Sequence, residues 1–238
     1  MRMRTSRILR FAVLAALPAI AAMAAYCCSW IVYSARQYTL GTVLPNARSA
    51  QYPLSPSGLS RRQIEILLKV EDPQFFQHRG VDFSTPGAGN TTITQSLVKL
   101  LYFDKFSPGI AKLKQTLIAA YALNPLMPKD AQLRLFINTA YLGPDVHGFE
   151  QAANAYFGKP FKQLGEDEFL AIVAMLIAPE TFHVRNYPER NGERVRRIKQ
   201  LASGEYVPRG VFDVFYGKLD EEIQPHIPPV SYFESYYR

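Results

Sequence analysis

Residues 70–82 read VEDPQFFQHRGVD and place a Glu-Asp pair, two phenylalanines, a histidine and a glycine in one short segment. Just upstream, Leu67, Leu68 and Val70 make the chain apolar at helical spacing, so Glu71 is expected at the end of a buried face. Burial raises a carboxyl pKa, and a raised pKa suits a general base. Taken alone, the pair reads more readily as a solvated acidic helix end. The surrounding sequence has to decide between the two.

Working outward, apolar residues recur at helical intervals: Ile64, Leu67 and Leu68, then Ile93, Leu97 and Leu100, then Leu113, Leu117, Ala120 and Tyr121. Further periodic stretches span 129–138, 149–156, 166–176 and 193–201, and no alternation is long enough to build a sheet. The pattern predicts a mainly α fold. Residues 34–60 carry Pro45, Pro53, Pro56, Gly41 and Gly58 among polar residues, which predicts a juxtamembrane linker without a stable helix. The tail from 203 to 238, rich in aromatics, prolines and acids, reads as a loose cover or an irregular extension.

At 238 residues the chain has room for one medium domain with appendages. Its first ten residues, MRMRTSRILR, hold four arginines and no acid, and residues 11–32 are apolar, small or weakly polar over a length that spans a bilayer. The arginines predict an N-terminus inside the cell and the remainder outside the cytoplasm. Ala22, Met23 and Ala24 offer a cleavage site, but the apolar run continues past them, so an uncleaved single-pass anchor is favoured over a signal segment. Both cysteines, Cys27 and Cys28, fall in this run, which leaves neither a disulfide framework nor a thiol metal site for the domain. Four of the seven net positive charges belong to the leading arginines, leaving a mild excess that suits a surface near anionic lipid and requires no nucleic acid.

Four segments in order carry a resemblance. EDxxFxxHxGxD is matched at every fixed position by Glu71, Asp72, Phe75, His78, Gly80 and Asp82. GGSTITQQLAKN is similar to GNTTITQSLVKL at 89–100, with Thr92, Thr94, Gln95 and Lys99 kept. FINTAYLG and GFEQAANAYFGKP resemble YLNxxYFG and GxxxAAxxYFGK, and LGEDEFLAIVAMLIAPETF resembles LSLAEAALLAGLPQAP. Over residues 59–201 the chain thus resembles the family 51 glycosyltransferases, the peptidoglycan polymerase domain of class A penicillin-binding proteins and of monofunctional biosynthetic transglycosylases. In the later stretches Tyr156 and Phe157 read as core and the paired alanines as close helix packing.

The resemblance implies a lysozyme-like, mainly α glycosyltransferase domain behind an N-terminal transmembrane helix, in the periplasm at the bacterial inner membrane. The implied organisation is anchor or signal at 1–33, linker at 34–58, glycosyltransferase domain at 59–202 and C-terminal extension at 203–238. The implied activity is polymerisation of lipid II into glycan strands with release of polyprenyl pyrophosphate. Glu71 takes the place of the base that deprotonates the attacking sugar hydroxyl. Lys99, with Thr92, Gln95 and Lys112, takes the place of the groups around the departing pyrophosphate. Asp72 and His78 hold the loop, and Phe75 and Gln115 complete the implied substrate site. Mg or Mn is a chemically reasonable aid to pyrophosphate departure, although His78, His147, His183 and His226 are too scattered for a metal-ligand cluster. The residues after Leu201 are too few for a transpeptidase domain, so a separate transpeptidase or cell-wall synthesis complex is the expected partner beside lipid II, glycan and membrane.

The third family motif, RKxxE, departs: with Lys112 on the lysine, Ala111 stands on the arginine and Gln115 on the glutamate. Gln115 carries no charge or transferable proton near neutral pH. Asp104 and Glu150 are conceivable substitutes. Ser96, Leu100 and Arg134 replace other family residues, and the stretch between Asp82 and Thr91 is short. These losses leave open a degenerate, non-catalytic member that binds lipid II, glycan or a cell-wall partner. A lysozyme-like hydrolase with Glu71 as acid is a third possibility, one that wants a second carboxylate opposite.

Overall fold

The computed structural model describes residues 2–107 and 109–218, without the side chains of residues 2–15. The part of the tail from 219 to 238, which holds His226, lies outside the described residues. The described chain is mainly α-helical, and its only β pairing is an isolated bridge between Tyr141 and His147. The principal helices are α1 (Arg2–Tyr38), α2 (Arg61–Glu71), α3 (Ile93–Tyr102), α4 (Ile110–Ile118), α5 (Lys129–Thr139), α6 (Gly148–Phe157), α7 (Glu166–Met175) and α8 (Pro188–Ser203).

Helix α7 is the centre of the core. Phe169 through Met175 are all buried, as expected of a helix apolar on every side. Phe149 and Phe161 pack their rings on Phe169, and Ala152 and Ala153 of α6 are fully buried. Tyr156 and Phe157 pack against this core from the edge, with the Tyr156 hydroxyl donating to the Leu142 carbonyl at 2.6 Å.

The N-terminal helix is long and apolar enough to cross a membrane over Ala16–Asn46, by length and composition. Trp30, Tyr33 and Tyr38 stand exposed on it, as aromatics do at a membrane interface. The expectation that residues 34–60 hold no stable helix is corrected. Helix α1 runs to Tyr38, a π-helical turn continues over Thr39–Val43, and Leu44–Asn46 complete the helical path. Pro45 directly follows the π-helical turn, where the Leu44 N–H pairs five residues back with the Thr39 carbonyl and the regular ladder is already interrupted. Ala35, Thr39, Val43 and Ala47 are buried against the domain. Beyond them Arg134 donates to the Tyr52 carbonyl at 3.0 and 2.7 Å, and Asn138 exchanges hydrogen bonds with the Leu54 backbone at 2.7 and 3.0 Å. These contacts tie residues 52–54 to α5.

Helix α2 decides where Glu71 stands. Ser60 and Gln63 close a capping box at its start, Ile66, Leu67 and Val70 bury its inner face, and Pro73 stops it by disfavouring helical backbone at Asp72. Glu71 is therefore the last helical residue. Helix α3 starts with a second capping box, Thr92 with Gln95.

Candidate active site

A cleft of about 350 Å³ opens between the end of α2, helix α3 and the loops after α5 and α7. Glu71 lines one side, and Lys99, Thr91, Ser96 and Leu100 line another, with Phe136, Tyr141 and Ile177 among the remaining walls. Two larger grooves, of about 1010 and 870 Å³, open on other faces, and neither reaches Glu71, Lys99 or Lys112.

The Glu71 carboxyl is pushed up to about 7, chiefly because burial withholds water from its charge; the Arg194 guanidinium pulls it back and the neighbouring Asp72 adds to the rise. Its place at a helix C-terminus, where the backbone dipole is negative, acts in the same direction as burial. On the opposite wall Lys99 is lowered to about 8 by burial and by the neighbouring Lys112. Lys112 is lowered to about 8 by burial, and its Nζ donates to the Asn90 carbonyl at 3.0 Å and the Thr91 hydroxyl at 2.9 Å. The cleft thus sets a carboxyl that is half-ionised near neutrality against Lys99, with Lys112 close behind it, both charged up to about pH 8.

The remaining residues expected at the site direct their polar atoms into the protein. Asp72, 1 % exposed, accepts from the His78 ring at 2.9 Å and from the backbone N–H of Ile93, the first residue of α3, at 2.9 Å. His78 Nδ1 accepts from the Gly80 N–H at 3.0 Å, which puts the donated proton on Nε2, toward Asp72. Asp72 thereby welds the end of α2 to the start of α3. Gly80 is required here: its φ is +94°, and a Cβ would stand 2.5 Å from the Ala119 carbonyl oxygen. Phe75 is fully buried, with Lys129 4.4 Å above its ring. Thr92 donates to the Gly80 carbonyl at 2.7 Å and Gln95 donates to the Thr116 hydroxyl at 3.1 Å.

Gln115 is buried on α4 and its Nε2 donates to the Gln95 carbonyl at 2.6 Å, while its Oε1 has no partner. The side chain that aligns with the family glutamate therefore ties α4 to α3 and is absent from the cleft lining. Asp104 lines a separate cavity beside α1, and Glu150 lies in the first turn of α6, bonded to Asn154. Among the described residues, Glu71 is the one carboxylate lining the cleft. Among them, too, no group of three or more His, Cys, Asp or Glu converges, and the cleft sets one carboxylate against Lys99. That donor set does not suit Mg or Mn.

Two residues that shape the site escaped the motif comparison. Arg194, 3 % exposed, lies within electrostatic reach of Glu71, and Tyr216, also 3 % exposed, donates from its hydroxyl to the Val70 carbonyl at 3.0 Å. A signal for Arg194 was present: Asn191, Arg194, Ile198 and Leu201 recur at helical spacing and form the buried stripe of α8.

The transglycosylase family profile matches residues 39–202, which takes in the whole cleft. The chain belongs to the transglycosylase family. It is 30 % identical to penicillin-binding protein 1F of Bacillus subtilis over 155 residues, which cover 60 % of this chain and 22 % of that protein. It is 28 % identical to penicillin-binding protein 1A of Vibrio cholerae over 175 residues, 68 % of this chain and 21 % of the relative. With penicillin-binding protein 1A of Escherichia coli the identity is 30 % over 144 residues, 55 % of this chain and 17 % of the relative. The chain spans about a fifth of the length of these relatives. The transglycosylase match begins at residue 39, so the buried π-helical turn and the stapled residues 52–54 fall within it.

Proposed function

We propose that this protein is a membrane-anchored peptidoglycan glycosyltransferase that polymerises lipid II into glycan strands. One observation carries the reading: Glu71, its carboxyl raised to about 7, and Lys99 line one cleft, with Lys112 acting on Lys99 and bonded to the cleft residue Thr91. The ionised Glu71 takes the proton from the 4-hydroxyl of the acceptor sugar as its oxygen bonds to the anomeric carbon of the donor. The bond to the polyprenyl pyrophosphate breaks with its electron pair on the leaving oxygen, and Lys99 and Lys112 hold the charge that appears there. The apolar outer face of α4, where Ile110 and Leu113 are exposed, and the long helix α1 favour placement at the periplasmic face of the inner membrane, next to the lipid headgroups. Lipid II and the growing glycan are the corresponding partners.

The test is incubation of detergent-extracted protein with labelled lipid II. Polymer is expected from the wild type and none from Glu71→Gln. Absence of polymer under conditions that support a penicillin-binding protein 1A contradicts the reading. One specific observation favours a second function, that of a lipid II- or glycan-binding scaffold: among the described residues the cleft has a single carboxylate, with Gln115 turned inward. That function predicts lipid II binding without turnover, and no loss of cellular function in Glu71→Gln.

A further inference from the structure

The family match ends at residue 202, yet the chain continues as an irregular segment that returns to the base side of the cleft. Asp213 holds this segment together: it accepts from the Tyr206 hydroxyl at 2.6 Å and from the N–H groups of Arg209 and Gly217 at 3.0 and 3.2 Å. The segment bonds the loop that precedes α3. The Gly87 N–H donates to the Gly210 carbonyl at 2.9 Å, and the Gly89 N–H donates to the Val211 carbonyl at 2.8 Å. Glycine is needed at 87, where φ is +78° and a Cβ would meet the Pro208 ring at 2.8 Å. Two residues past Gly89, Thr91 lines the cleft and receives the Lys112 hydrogen bond.

The same segment encloses Arg194. The guanidinium donates from Nη1 to the Val214 carbonyl at 3.1 Å and lies 5.2, 5.6 and 5.6 Å from the rings of Tyr216, Phe215 and Phe182. Its Nε has no hydrogen-bond partner. A buried cation with so few acceptors is costly for packing alone, and it stands beside Glu71. Tyr216 meanwhile holds the Val70 carbonyl, one residue before Glu71.

We propose that residues 204–218 form a strap that fixes the base wall and the shortened loop of the cleft, with Tyr216 and Arg194 as positioning residues for Glu71. Arg194 keeps a compensating positive charge behind the carboxylate that must form for base catalysis. The other groups acting on Glu71 are Asp72 beside it and Tyr216 from the strap, and the titratable groups that share its cleft are Lys99 and Tyr141. The inference rests on Glu71 being the base, so its test uses readouts that need no turnover.

Hydrogen exchange at Gly87 and Gly89, and the ¹³C titration of the Glu71 carboxyl, are to be measured in the full-length protein and in Tyr216→Phe, Gly87→Ala, Arg194→Met, Arg194→Lys and a truncation lacking residues 205–238. Exchange of the amides at positions 87 and 89 is expected to rise roughly tenfold or more in the truncation and in Gly87→Ala, and less in Tyr216→Phe. The Glu71 titration is expected to move upward in Arg194→Met and to return part of the way in Arg194→Lys. If the truncation fails to fold, the two point variants in the strap contact carry the exchange test. Unchanged exchange in both of them, or an unmoved Glu71 titration in Arg194→Met, overturns the proposal. A wild type that shows these shifts but makes no polymer sinks the glycosyltransferase reading and leaves the strap. A truncated protein that polymerises lipid II with the wild-type pH profile sinks the strap and leaves the enzyme.

Discussion

The two walls of the cleft are built in different ways. The wall of Glu71 is closed: α2 ends there, Asp72 clamps it to α3, and Arg194 and Tyr216 close it from behind. The wall of Lys99 and Lys112 is made by two successive helices whose lysines are partly open to solvent and act on each other. Burial raises the acid on the first wall and lowers the bases on the second, so the two pKa values approach each other from opposite sides. The residue types are ordinary; their unequal solvation gives them the protonation states near neutral pH that the proposed base and charge stabiliser need.

The sharpest way to break this contrast is Glu71→Gln, which removes the one carboxylate that lines the cleft among the described residues. Polymerisation of lipid II is expected to fall about 10³-fold. Asp72→Ala attacks the frame of the same wall: it leaves the His78 ring and the Ile93 N–H without their acceptor, and is expected to cost about 3 kcal/mol in a denaturant titration. On the open wall, Lys99→Met is expected to slow turnover by about 10²-fold while the melting temperature holds.

Glu71→Gln also has a stability signature. Because the folded-state pKa of about 7 lies above the ordinary 4.5, the native state retains a proton that the unfolded chain has released, and stability falls as pH rises through that interval. The variant is therefore expected to be more stable than wild type above pH 7, on the order of 2 kcal/mol after allowance for partial exposure, with little difference below the ordinary carboxyl pKa. Thermal melts at acidic and alkaline pH read this directly. The smallest effect is expected from Gln115→Glu. Restoring the family residue sets a carboxylate against the Gln95 carbonyl oxygen, in place of a donor at 2.6 Å, and is expected to destabilise by about 1–2 kcal/mol without raising the rate.

Much of the fold was legible because helical periodicity is local. The apolar positions of α2 through α8 were readable at their spacing, and so was the position of Glu71 at a helix end. Residues 34–46 were not, since Gly41 and Pro45 signal a break; Gly41 faces open space and Pro45 opens a helical turn, so neither breaks the path. Of the residues expected at the site, the cleft lining brings together Glu71 and Lys99, and the motif spacing did not separate these from the ones that turn inward. Asp72, Gln95 and Gln115 look like ligands in a motif, whereas their hydrogen bonds go to Ile93, Thr116 and Gln95. Tyr216 lies 146 residues from its partner Val70, beyond the reach of any local pattern.

The pH dependence of lipid II polymerisation by the full-length protein tests the two-wall account most directly. The rate is expected to rise as Glu71 ionises at about 7 and to fall as Lys99 and Lys112 lose their charge at about 8, a narrow bell with its top between. An acid limb at the ordinary carboxyl value near 4.5, or no polymer at any pH, contradicts it.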